Sequence, residues 1–141
     1  MPVLFDSSIY IRALRDSDAA FLVQRWAREA PLWLSAVVLE ELYAGAARGD
    51  WRILEKLERD FDRAKRILVP NLNDWSAAGR VLARVAEKYG FEKIGRARLT
   101  NDALIAASAG RTGITVLTFN ERDFARLAEF CPVQWEAKTL P

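Results

Sequence analysis

Four stretches carry side chains that could do chemistry together. MPVLFDSSIYI runs three apolar residues, Val3, Leu4 and Phe5, straight into the carboxylate of Asp6. SAVVLEELYAG holds Glu40 and Glu41, TNDALIAASA holds Asp102, and VLTFNERDF holds Asn120 and Asp123. Carboxylates that converge repel one another and raise each other's pKa. A divalent cation removes that penalty, and Mg²⁺ takes oxygen ligands, held by one or two carboxylates plus several waters. Such a site polarises a phosphate and activates a water for in-line attack. The chain contains no histidine. Serine–histidine and cysteine–histidine nucleophiles are therefore excluded, as is histidine acid–base chemistry. For hydrolysis that leaves carboxylates with a metal, or lysine.

Each residue also has a plainer reading. Asp6 caps the helix that follows, and Asp102 meets a helix dipole from the first turn. Asp123 is a surface acid, and Asn120 a turn residue or cap. Glu41 is harder to dismiss. Val38, Glu41, Leu42 and Gly45 share one helix face, and an acid on an apolar stripe wants a partner. Glu40 points about 100° away, toward solvent. The set of acids, rather than any one of them, points to a site.

The elements that must position these residues alternate between strand and helix. Residues 2–6 read as a buried strand, followed by helices at 7–15 and 18–29, the second with Ala20, Phe21, Leu22 and Trp26 inward. Residues 32–35 read as a strand. Ser35 caps a helix to about 47, ended by Gly45 and Gly49. A helix over 50–66 carries the stripe Trp51, Leu54, Leu57, Phe61 and Ala64. Residues 67–70 are a strand, 73–89 a helix, and GFEKIGRARL a basic loop. A helix over about 101–110 precedes the strand 114–118, a short helix over 121–129 and a last strand near 132–136. Short strands apolar on both faces, separated by helices, predict a three-layer α/β/α sandwich with a mainly parallel, five-stranded sheet. In such folds ligands gather at the carboxyl edge of the strands. Asp6, Asp102, Asn120 and Asp123 all fall on that edge. Glu41 follows about 8–9 Å into its helix at 1.5 Å per residue.

Composition sets the bounds. A chain of 141 residues has the length of one domain, able to bury roughly 65–70% of its unfolded surface. Hydrophobic residues make up 51% and charged residues 28%, an ordinary globular mix. One cysteine, Cys131, forms no disulfide framework or zinc cluster, which suits a reducing, cytoplasmic setting. No apolar run reaches the roughly 18 residues of a membrane span. A net charge of +2 is mild support for a nucleic-acid partner.

Taken in order and spacing, FDSSIYI, SAVVLEELYAG, TNDALIAASA and VLTFNERDF resemble the PIN-domain ribonucleases. The small VapC-type toxins of VapBC toxin–antitoxin modules match best, over nearly the whole chain. The resemblance implies Asp6, Glu41 and Asp102 as the acidic core, with Asp6 and Asp102 as direct Mg²⁺ or Mn²⁺ ligands. Asn120 and Asp123 compete for a fourth position. Where the family often has asparagine two residues after the first aspartate, this chain has Ser8, so ordering there rests on a hydroxyl. The resemblance further implies metal-dependent endonucleolytic cleavage of RNA, a homodimer, and inhibition by a cognate antitoxin.

Lys93, Arg96 and Arg98, with Lys88, make the stretch before Asp102 basic, and Arg12 and Arg15 follow Asp6. All are candidates for RNA phosphates, against the plainer reading of a solvated surface. The five tryptophans are expected mostly in the core, with one or two lining a groove for an antitoxin helix. Two other readings compete. A phosphotransfer domain on a similar scaffold lacks its paired acids here, and Ser8 stands where a dehalogenase-like phosphatase needs aspartate. A PIN-like binding module without catalysis is the second.

Overall fold

A computed structural model describes residues 1–90 and 99–140. Its sheet has five parallel strands in the order β3-β2-β1-β4-β5. These are β1 (Val3–Phe5), β2 (Leu32–Ser35), β3 (Ile67–Leu68), β4 (Thr115–Thr118) and β5 (Trp135–Ala137). The helices are α1 (Ser7–Arg15), α2 (Ser17–Glu29), α3 (Ala36–Gly45), α4 (Trp51–Arg63), α5 (Leu72–Tyr89), α6 (Leu99–Thr112) and α7 (Glu121–Ala128). A 3₁₀ turn, Arg48–Asp50, leads into α4.

The period of two along the central strands builds the layers. Val3, Phe5 and Leu117 face Ile9 and Val23 of α1 and α2. Leu4, Leu34 and Val116 face the larger core with Val38, Leu42, Val85, Ile105 and Phe124. Helix α6 is buried over nearly its whole length, from Asp102 through Ala109. A helix covered all round needs small residues, and Ala103, Ala106, Ala107, Ser108 and Ala109 supply them. The polar Ser108 hydroxyl donates back to the Leu104 carbonyl at 2.7 Å. At Gly110 the approach is tightest: a Cβ would sit 2.1 Å from the Pro132 carbonyl oxygen. Since the obstacle is backbone, any side chain there must push the segment before β5 away.

The three-layer parallel fold expected from the sequence is present, with shifts of local cause. The helix expected over 50–66 stops at Arg63 because Lys65 takes a left-handed φ of 57° and the Arg66 amide folds back to the Phe61 carbonyl. Its stripe is buried at Leu54 and half-buried at Leu57 and Phe61, while Trp51 and Ala64 are exposed. Helix α3 ends at Gly45 without a left-handed glycine; Ala46 closes it in extended conformation. In α2 the buried positions are Ala19 and Val23, and Phe21 points outward, 65% exposed. None of the tryptophans is fully buried: Trp26, Trp33 and Trp135 pack half-buried on the cores, and Trp51 and Trp75 are exposed. Cys131 is free and buried, and the last strand begins at Trp135, later than expected.

One tertiary bond was invisible in the sequence. Asn71 and Asp74 form a capping box at the start of α5. Asp74 also takes a forked ion pair from Arg111 at the end of α6, with contacts of 2.9 to 3.0 Å. Burial would raise the Asp74 pKa, but the Arg111 guanidinium and the Asn71 amide outweigh it and hold the carboxyl below its usual range. A depressed carboxylate stabilises the fold above the unfolded value of about 3.9, and that stability is lost as pH falls through the folded value. Arg111→Ala leaves Asp74 buried without its cation. The variant should be less stable than the wild type at pH 7, by less than a fully buried pair would cost because the Arg111 side chain is 38% exposed. The gap between the thermal melts of the two proteins should narrow as pH falls through the depressed folded value of Asp74; a gap that is constant with pH would contradict this account.

Candidate metal and nuclease centre

Asp6 directly follows β1, one residue past the strand's end, and is the N-cap of α1, as the plainer reading of this residue had it. Its Oδ1 accepts the Ser8 amide at 3.0 Å and the Ser8 hydroxyl. Its Oδ2 accepts the hydroxyl of Thr118, the last residue of the neighbouring strand β4. The ladder explains that meeting. Phe5 pairs with Leu117 in the parallel register, so the next residues along, Asp6 and Thr118, emerge side by side. The Asp6 amide donates to the Leu117 carbonyl at 3.0 Å, which fixes the backbone too. Thr118 in turn accepts the Asn120 amide at 2.8 Å, and the Ser8 hydroxyl accepts the Phe119 amide at 3.3 Å. Both oxygens of Asp6 are thus held from two strands' ends.

Asp6 is buried. Burial raises its pKa, and the hydrogen bonds from Ser8, Thr118 and the Ile9 amide oppose that without cancelling it. The fold therefore holds a carboxylate whose charge it disfavours. A cation at that edge would relieve the cost.

Glu41 is buried on α3, between Val38 and Leu42. It lines a small cavity of about 190 Å³ with Glu40, Ala44, Gly45 and Asn101. Glu40 is exposed, as its angular position predicts, and accepts the Asn101 carboxamide at 3.4 Å. That bond ties α3 to the first turn of α6, where Asp102 is buried. Glu41 and Asp102 each have a polar or electrostatic partner. The Asn120 carboxamide donates to Asp123 at 2.8 Å, so these two side chains meet after β4. Among the described residues no group of three or more acidic, cysteine or histidine side chains is gathered to hold a metal ion. The donor set is nevertheless all oxygen, and Mg²⁺ typically needs one or two carboxylates with water completing its shell.

Of the basic candidates, Arg12 and Arg15 are exposed on α1, and Lys88 is engaged with Glu129 at 2.6 Å. Lys93, Arg96 and Arg98 lie outside the described residues. Sequence reasoning missed Thr118 and Asn101. Thr118 had a signal: a hydroxyl closing an otherwise apolar strand, as Asp6 closes β1 and Ser35 closes β2.

A family model described as PIN domain matches residues 3–130. The chain belongs to the PIN domain family. Among solved structures, this PIN domain resembles a chain of DNA-bound VapBC from Salmonella typhimurium. The TM-score is 0.69 at 22% identity, covering 97% of this chain and 98% of that one. A chain of VapBC-1 from nontypeable Haemophilus influenzae has a TM-score of 0.62 at 23% identity, covering 97% and 98%. A chain of FitAB bound to an IR36 DNA fragment has 0.65 at 19% identity, covering 97% and 94%. At these identities the likeness is one of fold. No curated protein matches the chain. The phosphotransfer readings find no support in the family match.

The disfavoured charge on Asp6 has a measurable consequence. A raised carboxyl pKa stabilises the fold in acid, and that stability is lost as pH rises through the folded value. At pH 7 the ionised form is a net cost. Asp6→Asn keeps a good N-cap and removes the charge, so it should raise stability by about 1 kcal/mol. That is roughly 2–4 °C in Tm for a domain of this size, with no gain below about pH 4. A lower Tm at pH 7 would mean that the carboxylate's hydrogen bonds outweigh its burial.

Proposed function

We propose that this PIN domain is a metal-dependent endoribonuclease, the toxin of a type II toxin–antitoxin module, restrained by a cognate antitoxin. The observation that carries the reading is Asp6: a buried carboxylate, oriented through both oxygens and kept at an energetic cost, at the carboxyl edge of the central strand. Functional sites concentrate such perturbed groups. The family match, the buried Glu41 and Asp102 on the adjoining helices, and neighbours solved as VapBC and FitAB complexes support it.

Asp6 and Asp102 would hold Mg²⁺ or Mn²⁺, with Glu41 beside them. When bound, the ion supplies charge for the scissile phosphate and an activated water. The chain's own part is orientation and proton handling. Ser8 and Thr118 fix the rotamer of Asp6 and favour its ionised form. With no histidine present, the attacking water's proton would pass to a carboxylate, and with Asp6 and Asp102 on the ion that leaves Glu41. The unit of Asn120 and Asp123 braces the end of β4. Homodimerisation, which the resemblance to that family implies, belongs to the same reading.

The antitoxin surface is the apolar groove between α1 and α4, lined by Tyr10, Ala13, Leu14, Ile53, Leu54 and Leu57. Its volume of about 300 Å³ suits the apolar anchors of an amphipathic helix.

Incubated with total RNA and Mg²⁺ or Mn²⁺, the purified protein should cut, and EDTA should stop it. Asp6→Asn, Asp102→Asn and Glu41→Gln should each lose at least about a hundredfold in rate while melting cooperatively. Cleavage that survives EDTA or these substitutions would sink the reading in favour of a contaminant or a catalytically silent binding module. Ile53→Glu, at a position 55% exposed, should leave cleavage intact and abolish co-purification with a co-expressed antitoxin; unchanged co-purification would move the antitoxin to another face.

A further inference from the structure

A second groove opens beside Asp6, at the Ser8 and Phe119 that adjoin it. It holds about 550 Å³ and is lined by Ser8, Ile11, Arg12, Arg15, Asp16 and Phe119. Three of these, Ser8, Arg12 and Arg15, stand at i, i+4 and i+7 on one face of α1. The face begins at the hydroxyl that orients Asp6 and continues into two exposed guanidinium groups. Arg12 is only loosely engaged, 3.8 Å from Asp16, with 57% of its side chain exposed. The opposite wall is Phe119, whose amide donates to Ser8 and whose ring is half-buried. Behind it Trp26 packs edge-on at 6.0 Å, and Lys138 lies 5.3 Å from the Trp26 ring. Phe119 is therefore a braced aromatic surface at the site's threshold, its amide separated from Asp6 only by the Ser8 hydroxyl.

Two cations on one wall and a fixed ring on the other match what single-stranded nucleic acid requires: charge along the backbone and a platform for a base. We propose that this groove seats the nucleotide next to the scissile phosphate, with Arg12 and Arg15 on backbone phosphates and the base stacked on Phe119. The proposal rests on the nuclease reading for its choice of RNA, and it names a base-contacting residue and the direction in which the strand leaves the site.

Binding can be tested apart from cleavage, in EDTA, by fluorescence anisotropy with two labelled probes. One is a mixed-sequence 12-nucleotide single-stranded RNA; the other is an abasic ribose–phosphate chain of equal length. Arg12→Gln with Arg15→Gln should weaken both probes at least about tenfold. It should also flatten the dependence of log K on log salt by about 1.4, the share of two phosphates at about 0.7 each. Phe119→Leu keeps an apolar filler against Trp26 and should weaken the RNA by about tenfold but leave the abasic probe within about twofold. The proposal falls if the wild-type protein binds neither probe, if the double variant binds like wild type, or if Phe119→Leu changes both probes equally or neither. Because no cleavage is measured, a protein that binds in this way but never cuts would keep the groove and lose the nuclease reading. One that cuts with the groove variants binding normally would do the reverse.

Discussion

The parallel pairing of β1 with β4 is the constraint on which the site depends. Its register sets Asp6 beside Thr118, and the strands are too fully buried to slip. A shift of one residue would turn Val3 and Phe5 out of one core and Leu4 out of the other. The hydrophobic layers therefore fix, to one residue, where a carboxylate emerges and which hydroxyl meets it. Packing sets the site's position, and hydrogen bonds then set the side chain's direction.

Two buried aspartates show how the same residue is used in opposite ways. Asp74 sits under Arg111 and closes a helix pair; its charge is neutralised inside the chain and its pKa is lowered. Asp6 has hydroxyls and amides for company, and its pKa is raised. A structural acid brings its own cation. An acid left to neutral donors at the edge of a sheet keeps its charge available to something that arrives from outside.

Much of this was legible in the sequence because burial leaves a pattern. The apolar strands, the caps at Asp6 and Ser35, and the inward face of Val38, Glu41 and Leu42 all follow from spacing within one element. What was not legible depends on contacts between elements. The Asp74–Arg111 pair spans 37 positions, and the Thr118–Asp6 bond spans 112. Local periodicity also failed at α4, where one left-handed residue, Lys65, ends a helix whose stripe would have continued. It failed for the tryptophans too: their size predicts burial, but Trp51 and Trp75 lie at helix starts that the core does not reach.

The three-residue strand β5 lies at the sheet's edge, with one neighbouring strand. Yet the Lys138 amide just beyond it donates to the Thr118 carbonyl at 2.8 Å, and the Lys138 side chain lies over Trp26, which braces Phe119. Edge elements fray first, through openings far cheaper than global unfolding. The residue that aims Asp6 is thus clamped by the part of the sheet that breathes most readily. On warming, the edge that carries Asp6 should slacken while the cores around Leu4 and Phe5 are still intact, so the temperature at which this arrangement is lost is set by its rim and not by the melting of the whole.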